Sequence, residues 1–199
     1  KIDTGRQESL SSILQNEIDP ENLARKIYLA SPYLGVLGYT KGELAMNSIL
    51  QRYDTAAVLL NTASSIADYV ILDCQTNITQ DFLTFVSLEM AGCRLIVCTP
   101  DLPGVSFWMS NTPMLADGKY RLEDAIRIFN RVREISPVSA IERQIGSFRY
   151  AFPYDIGIEE ELLSGTLGNA ASRRTSKRFN SVLGALISEI KSMQDGEKK

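Results

Sequence analysis

The stretch YVILDCQTNITQDFL (Tyr69–Leu83) decides the fold class that we predict. An apolar run, 69–72, stops at Asp73, polar turn-forming residues follow, and a new helical pattern begins near Thr79. A buried strand of a parallel sheet has this form, because its two faces are covered and its carboxyl end opens at the edge of the sheet. The stretch therefore predicts a parallel strand that brings the Asp73 carboxylate to that edge.

Further strands are predicted along the chain, and helical patterns separate them. The predicted strands are 33–38 (YLGVLG), 93–100 (CRLIVCTP), 125–132 (AIRIFNRV) and 147–155 (SFRYAFPYD). The clearest helical pattern is the last, an apolar stripe formed by Phe179, Val182, Leu183, Leu186, Ile187 and Ile190. Strands that alternate with helices indicate an α/β fold with a mainly parallel sheet, helices on both faces and ligand chemistry at the carboxyl ends of the strands.

Composition limits the classes of function. The chain has 199 residues, is 44% hydrophobic and carries a net charge of −3, which favours one domain without an overall nucleic-acid-binding charge. It contains no histidine, which excludes histidine-based triads and the commonest zinc ligand. Its cysteines, Cys74, Cys93 and Cys98, lie in or beside apolar runs, so we expect reduced, buried thiols. With no apolar run of membrane-spanning length and no signal-peptide pattern, we expect a cytoplasmic protein.

The strand ends, taken in order, resemble the ParA/MinD family of P-loop ATPases, and within it the CpaE/TadZ branch of pilus-assembly proteins. ADYVILDCQTN (67–77) is similar to the Walker B strand of that family, whose aspartate holds the magnesium of a bound nucleotide through water. The resemblance implies that Asp73 is both a metal ligand and a catalytic residue. It also implies ATP and Mg²⁺ as cofactors and a homodimer as the active form.

Three further segments resemble the family. CRLIVCTPDLPGVSF (93–107) is similar to the strand and loop that meet the partner subunit, which implies an interface role for Pro100, Asp101, Gly104 and Ser106. IRIFNRV (126–132) resembles the strand that ends at the adenine pocket, which implies base contacts for Asn130 and Arg131. FPYDIGIEEELLSG (152–165) resembles the proline turn beside the base, formed here by Pro153, Tyr154 and Asp155.

The chain departs from the family pattern at the phosphate site. No G-x-x-x-x-G-K-[ST] loop occurs, and Gln75 replaces the proline that usually follows Walker B. KIDTGRQESLSSIL (1–14) resembles the D-x-D-P-x-x-S-L-S segment, with Asp3 at the first catalytic aspartate and Gly5 in place of the second. We therefore expect a single ATPase-like domain at 1–192 that lacks its N-terminal P-loop strand and helix, a flexible tail at 193–199, and a native polypeptide that continues upstream.

Local explanations compete with several of these roles. Asp73 can cap the following turn, Asn130 can satisfy backbone groups at a strand end, and 153–155 forms a turn under any interpretation. The run Glu159–Glu161 opens a helix, where the helix dipole favours anions. A basic cluster before the last apolar stripe is either a solvated helix face or a nonspecific DNA contact, and consists of Arg173, Arg174, Lys177 and Arg178.

The resemblance implies a nucleotide-dependent dimerising switch that positions a cellular cargo, such as pilus or secretion machinery or DNA. It would hydrolyse ATP only with an upstream P-loop. The alternative is a pseudo-ATPase scaffold that dimerises and binds partners without hydrolysis. A receiver domain is less compatible, because the acidic cluster and the lysine that such a domain needs are not visible.

Overall fold

The structure is a computed structural model that describes residues 9–40, 42–43, 53–76, 82–166 and 175–197, with side chains to residue 193. Asp3, Gly5, Arg173 and Arg174 lie outside the described residues. The chain divides into two compact units, Lys1–Ala91 and Gly92–Lys199.

The first unit contains four helices and one hairpin among its described residues. These elements are α1 (Leu10–Leu14), α2 (Pro20–Lys26), β1 (Tyr28–Ser31), β2 (Leu34–Val36), α3 (Tyr53–Ile66) and α4 (Phe82–Met90). Ser9 caps α1 by accepting a hydrogen bond from the Ser12 N–H, and Asp19 caps α2 just before Pro20. An apolar cluster joins α1, α2 and α3 and consists of Leu10, Ile13, Leu14, Leu23 and Leu59.

The hairpin β1–β2 is antiparallel and exposes all of its residues. The sequence predicted a strand at 33–38, which the structure confirms as the shorter β2. The preceding strand, β1, was missed. Its partner follows after a two-residue connection, a spacing that is typical of a hairpin.

The structure contradicts the predicted buried strand at 69–73. Within the described part of the chain these residues pair with no strand, and Ile71 is 92% exposed. Leu72 alone of this run packs inward, against a small cluster that includes Leu60 and Val86. A buried strand needs hydrogen-bonded neighbours and covered faces, whereas β1 and β2, the described strands of this unit, pair with each other.

The second unit alternates strands and helices, as the sequence predicted. Its elements are β3 (Leu95–Cys98), α5 (Leu102–Leu115), β4 (Ile126–Val132), α6 (Val138–Ile145), β5 (Tyr150–Pro153), α7 (Ile156–Ser164) and α8 (Lys177–Glu197), with two short 3₁₀ turns between α5 and β4. The predicted last helix is α8, which continues through residues 193–197 of the predicted tail.

The three strands form a parallel sheet in the order β3-β4-β5. Ile126 and Ile128 of β4 lie on one face, where they pack with Phe152 of β5 and Leu186 of α8. Alternate residues of a strand point to opposite faces, so Arg127 and Phe129 lie on the other.

On that second face, helix α5 and the segment before β5 cover the sheet. The Arg127 guanidinium lies 4.7 Å from the centre of the Trp108 ring of α5, and Phe148 stacks on Phe129 with ring centres 3.7 Å apart. The fold class predicted from the sequence, α/β with a parallel sheet and helices on both faces, is therefore confirmed in this unit.

Of the three thiols predicted to be buried, only Cys98 is buried. Cys93 is half-buried and Cys74 is exposed, because Cys74 lies on the unpaired segment after Asp73. None of these three cysteines is in a disulfide.

Candidate functional site

The carboxyl ends of β3, β4 and β5 lie at the same edge of the parallel sheet, where ligands bind in open α/β folds. The ends of β4 and β5 are adjacent, because Val132 pairs with Pro153 and the Tyr154 N–H donates to the Val132 carbonyl at 2.8 Å. This register brings together five residues that the sequence singled out: Asn130, Arg131, Pro153, Tyr154 and Asp155.

A bulge distorts the end of β4. The register with β5 shifts between Phe129 and Val132, and Arg131 adopts the left-handed conformation with φ = 58°. The Asn130 side-chain oxygen accepts a hydrogen bond from the Arg131 N–H at 2.9 Å, which stabilises the bulge. Asn130 thus performs the local backbone role considered above, while its amide nitrogen donates to no described residue. Bulges of this kind re-aim side chains beside functional sites.

Tyr154 and Arg131 share an acceptor, Glu159, in the first turns of α7. The Arg131 guanidinium lies 3.5 Å from the Glu159 carboxylate, and the Tyr154 hydroxyl donates to the same carboxylate. That hydrogen bond, with partial desolvation, raises the pKa of Tyr154 above its ordinary value. The Arg133 guanidinium lies over the Tyr154 ring, 4.3 Å from its centre. The result is a platform of one aromatic ring and one planar cation at the edge of the sheet where β4 and β5 end.

Asp155 ends the turn that follows β5 and contacts two helices. One carboxylate oxygen accepts from the Gly157 N–H at 3.0 Å and caps α7, while the other accepts from the Ser176 N–H at 2.7 Å. Partial burial opposes ionisation, but hydrogen bonds from Ser176, Gly157 and Ile158 outweigh it, so the pKa of Asp155 lies below its ordinary value.

The connection from β3 to α5 contains the residues predicted to meet a partner subunit. Asp101 caps α5, and a single carboxylate oxygen accepts from the Thr99 hydroxyl at 2.7 Å and from the Gly104 N–H at 2.9 Å. These two hydrogen bonds lower the pKa of Asp101 despite partial desolvation. Pro100 and Gly104 are buried, whereas Ser106 and Leu102 are exposed. A Cβ atom on Gly104 would lie 2.0 Å from the Thr99 carbonyl oxygen, so this close approach requires glycine.

The other predicted site residues belong to other segments of the chain or fall outside the described residues. Asp73 is exposed on the unpaired segment of the first unit, and its carboxylate forms no hydrogen bond with another described residue. Lys177 and Arg178 begin α8 and are exposed. Asp3, Arg173 and Arg174 fall outside the described ranges, so their predicted roles stay predictions.

Sequence reasoning missed Glu159 and Arg133. Glu159 was assigned only a dipole role, yet it forms an ion pair with Arg131 and accepts a hydrogen bond from Tyr154. Glu161, in the same acidic run, is 5% exposed. The available signal was spacing, because Glu159 lies one helical turn after Asp155 and therefore faces the same end of the sheet.

Chemically, this edge can hold a planar, hydrogen-bonding ligand. Tyr154 and Arg133 offer flat surfaces, and the Asn130 amide nitrogen offers a donor. For magnesium, the described residues contain no group of three acidic or cysteine side chains that could enclose an ion. Magnesium in nucleotide complexes needs only one or two carboxylates together with phosphates, which is compatible with Asp73 acting alone.

Comparison with known proteins supports the fold. No protein-family model matches the chain, and no curated protein sequence matches it. Among solved structures it is similar to the crystal structure of a ParA family ATPase from Chlorobium tepidum TLS, with a TM-score of 0.73 and 19% identity over 92% of this chain and 75% of that one. No helix in the described part of the chain combines the length and apolar character that a membrane crossing requires. The fold is therefore of the α/β, P-loop NTPase-like type seen in the ParA structure, as the sequence resemblance implied.

Proposed function

We propose that this chain is a ParA-like, nucleotide-dependent dimerising switch that positions a cellular cargo, which we take to be pilus or secretion machinery, or DNA, in the cytoplasm. The observation that carries the proposal is the cluster at the ends of β4 and β5, where a bulge at Asn130 and Arg131 and the Tyr154–Arg133 platform share one edge of the sheet. The likeness to a ParA family ATPase supports the fold on which this cluster lies. The CpaE/TadZ branch remains part of the proposal.

In the proposed mechanism, the residues of this edge bind and orient the base of ATP. The Asn130 amide nitrogen donates to a ring nitrogen, and Pro153 and Tyr154 bound the base on one side. Glu159 accepts from the Tyr154 hydroxyl and pairs with Arg131, which holds the tyrosine ring in place. Bound ATP and magnesium would supply contacts that exist only in the dimer, and Asp73 would be the carboxylate that holds the metal. Binding of ATP and magnesium would then shift the protein from monomer to dimer.

Nucleotide binding is the first test. Titration calorimetry of Mg·ATP against the longest native polypeptide that carries this chain should give a dissociation constant below about 1 mM. Asn130→Ala should weaken binding roughly tenfold, because one hydrogen bond to the base is lost. Asn61→Ala is the matched control, since Asn61 is an exposed asparagine on α3 of the first unit, and it should bind as the unmodified protein does.

The metal role of Asp73 has its own variant in the same experiment. Asp73→Ala should weaken binding in the presence of magnesium and leave ATP binding without magnesium unchanged, because only the metal contact is removed. Equal effects with and without magnesium would contradict a metal role. Absence of any nucleotide binding by the unmodified protein would reject the switch.

Dimerisation is the second test. Leu102 is 84% exposed at the start of α5, within the predicted partner-facing segment, and Leu163 is 83% exposed on α7. In sedimentation velocity with Mg·ATP, Leu102→Asp should abolish the dimer, because a charge would be buried at the interface. Leu163→Asp should leave it intact. The reverse pattern would move the interface away from the segment that contains Pro100, Asp101, Gly104 and Ser106.

One observation favours the second candidate, a scaffold that dimerises without nucleotide turnover. The segment that carries Asp73 is unpaired and exposed among the described residues, which is unlike a strand that delivers a catalytic carboxylate to a sheet edge. A protein that forms dimers but shows no calorimetric response to Mg·ATP would be this scaffold. Steady-state phosphate release by the dimer would exclude it.

Nonspecific DNA is the remaining partner in the proposal. Lys177 and Arg178 are exposed in the first turn of α8 and could contact phosphates. Fluorescence anisotropy with a DNA duplex should show a log–log salt dependence that falls by about 1 in Arg178→Glu, since each neutralised phosphate contributes about that slope. Lys191→Glu, an exposed lysine farther along α8, is the control. Equal slopes for all three proteins would exclude DNA contact by the start of α8.

A further inference from the structure

The start of α8 is tied to the turn after β5 through one side chain. Asp155 accepts from the Ser176 N–H with one carboxylate oxygen and from the Gly157 N–H with the other. Ser176 in turn caps α8, because its hydroxyl oxygen accepts from the Phe179 N–H at 3.2 Å and its carbonyl accepts from the Asn180 N–H. The N-terminal ends of α7 and α8 therefore meet at a single carboxylate.

We infer that Asp155 is a positioning residue that couples the Pro153–Asp155 turn to the first turn of α8. Each of its two oxygens accepts a backbone N–H from a different element, Gly157 at the start of α7 and Ser176 at the start of α8. A movement of the turn would pull on Ser176 and shift the residues that follow it, Lys177 and Arg178. The importance of that shift for DNA or dimer formation rests on the proposed function, but the coupling itself does not.

Asn is the substitution that separates the two contacts of Asp155. Asparagine is as good a helix cap as aspartate, so its single carbonyl oxygen keeps the Gly157 hydrogen bond. Its amide nitrogen can only donate, so the Ser176 N–H loses its acceptor. Asp101 is the matched control, because its two donors share one oxygen and Asp101→Asn can keep both.

Residue-resolved amide exchange by NMR on the unliganded full chain tests the coupling. In Asp155→Asn, exchange of the hydrogen-bonded amides of Ser176, Phe179 and Asn180 should rise about tenfold, since a hydrogen bond to a charged acceptor is lost. The Gly157 amide should change less than about twofold, because its cap is retained. Asp101→Asn should leave 176–180 unchanged. If exchange at 176–180 is the same in Asp155→Asn as in the unmodified chain, the inference is wrong.

If the turn after β5 and the start of α8 are coupled, a change at either one must affect the other, so a second experiment changes Ser176 and observes the turn. Ser176→Pro removes the N–H that Asp155 accepts, and Ser176→Ala keeps that N–H while lacking the hydroxyl, as proline does. The Pro variant should loosen the turn, so that the Tyr154 amide exchanges several-fold faster than in the Ala variant. Equal exchange of Tyr154 in the two variants would contradict the coupling. Neither experiment requires nucleotide, so failure of the switch in calorimetry would not decide this result.

Discussion

Residues 69–73 and strand β3 (Leu95–Cys98) have the same sequence pattern and different structures. Each is an apolar run with β-branched residues that ends at polar turn-formers. β3 pairs in register with β4 and leads into α5, with Cys98 buried. The other run pairs with no described strand and leaves Ile71 92% exposed.

The comparison shows that a strand-like sequence pattern is not sufficient for a buried strand, because neighbouring strands and helices must also be present. An apolar run makes a buried strand favourable only where hydrogen-bonded strands and covering helices are present. β3 has a hydrogen-bonded neighbour, β4, and a covering helix, α5, in its own unit, although Leu95 and Val97 remain exposed. Residues 69–73 have the composition of a buried strand, but no described strand pairs with them.

The largest effect that we predict is a difference in stability between two isoleucine-to-alanine variants. Ile128 is 3% exposed in the central strand β4, and Ile71 is 92% exposed. Ile128→Ala should lower the free energy of unfolding by about 2–5 kcal/mol, because buried methyl groups are removed and a cavity remains. Ile71→Ala should change it by less than about 0.5 kcal/mol. Urea unfolding of both variants measures the difference, and similar losses would show that 69–73 is buried in solution.

Thiol labelling sharpens the same comparison. Burial, with a smaller contribution from the Asp101 charge, raises the pKa of Cys98 to about 11 from its ordinary value of 9.0. That shift alone lowers the fraction of Cys98 in the reactive thiolate form about a hundredfold at neutral pH. Cys74, exposed at the end of the unpaired run, should therefore react with iodoacetamide roughly a hundredfold faster than Cys98, as followed by peptide mass spectrometry. Equal labelling rates would mean that Cys74 is covered.

The next effect concerns the close packing of Gly104 against Thr99 at the junction between β3 and α5. Gly104→Ala would place a Cβ against backbone atoms of Thr99, so we expect a loss of about 1–3 kcal/mol from overpacking. A Cβ atom on Gly184, in α8, would meet no heavy atom within 4 Å, so Gly184→Ala should instead stabilise by about 0.5–1 kcal/mol. Chemical unfolding of both variants measures whether their free energies of unfolding change in opposite directions. No change in Gly104→Ala would show that the junction between β3 and α5 can move to make room for the added methyl group.

The smallest effect is at the cap that follows β3. Asp101→Ala should cost about 1 kcal/mol at pH 7, because the Gly104 and Thr99 donors lose their acceptor. Since the pKa of Asp101 is lowered from 3.8 in the folded state, its contribution is present above that value and is lost as the pH falls through the folded pKa. Unfolding measured from pH 7 to pH 3 should show the two proteins converging in acid. A difference that stays constant over this range would assign the cost to packing.

Much of the second unit could be predicted from its sequence. β4 and β5 were located by apolar runs that end in polar turns, and α8 by its stripe. Asn130 and Tyr154 were singled out by resemblance, and the parallel register explains why they lie at the same edge of the sheet. The spacing after Asp155 was a signal for the position of Glu159, but the contacts of Glu159 and of Arg133 could not be predicted, because they depend on a bulge that re-aims Arg131 and on the direction in which α7 leaves β5. The exposure of 69–73 could not be predicted either, since it depends on pairing that no local pattern encodes.

Arg131 has a consequence for anyone who redesigns this protein for stability. Its left-handed backbone is a conformation that glycine adopts without strain, so a purely thermodynamic optimisation would replace it. The replacement would also delete the guanidinium that pairs with Glu159, so that this carboxylate would keep the Tyr154 hydroxyl and lose the Arg131 cation. If Arg131→Gly raises the melting temperature and weakens nucleotide binding, this position costs the protein stability and contributes to its function.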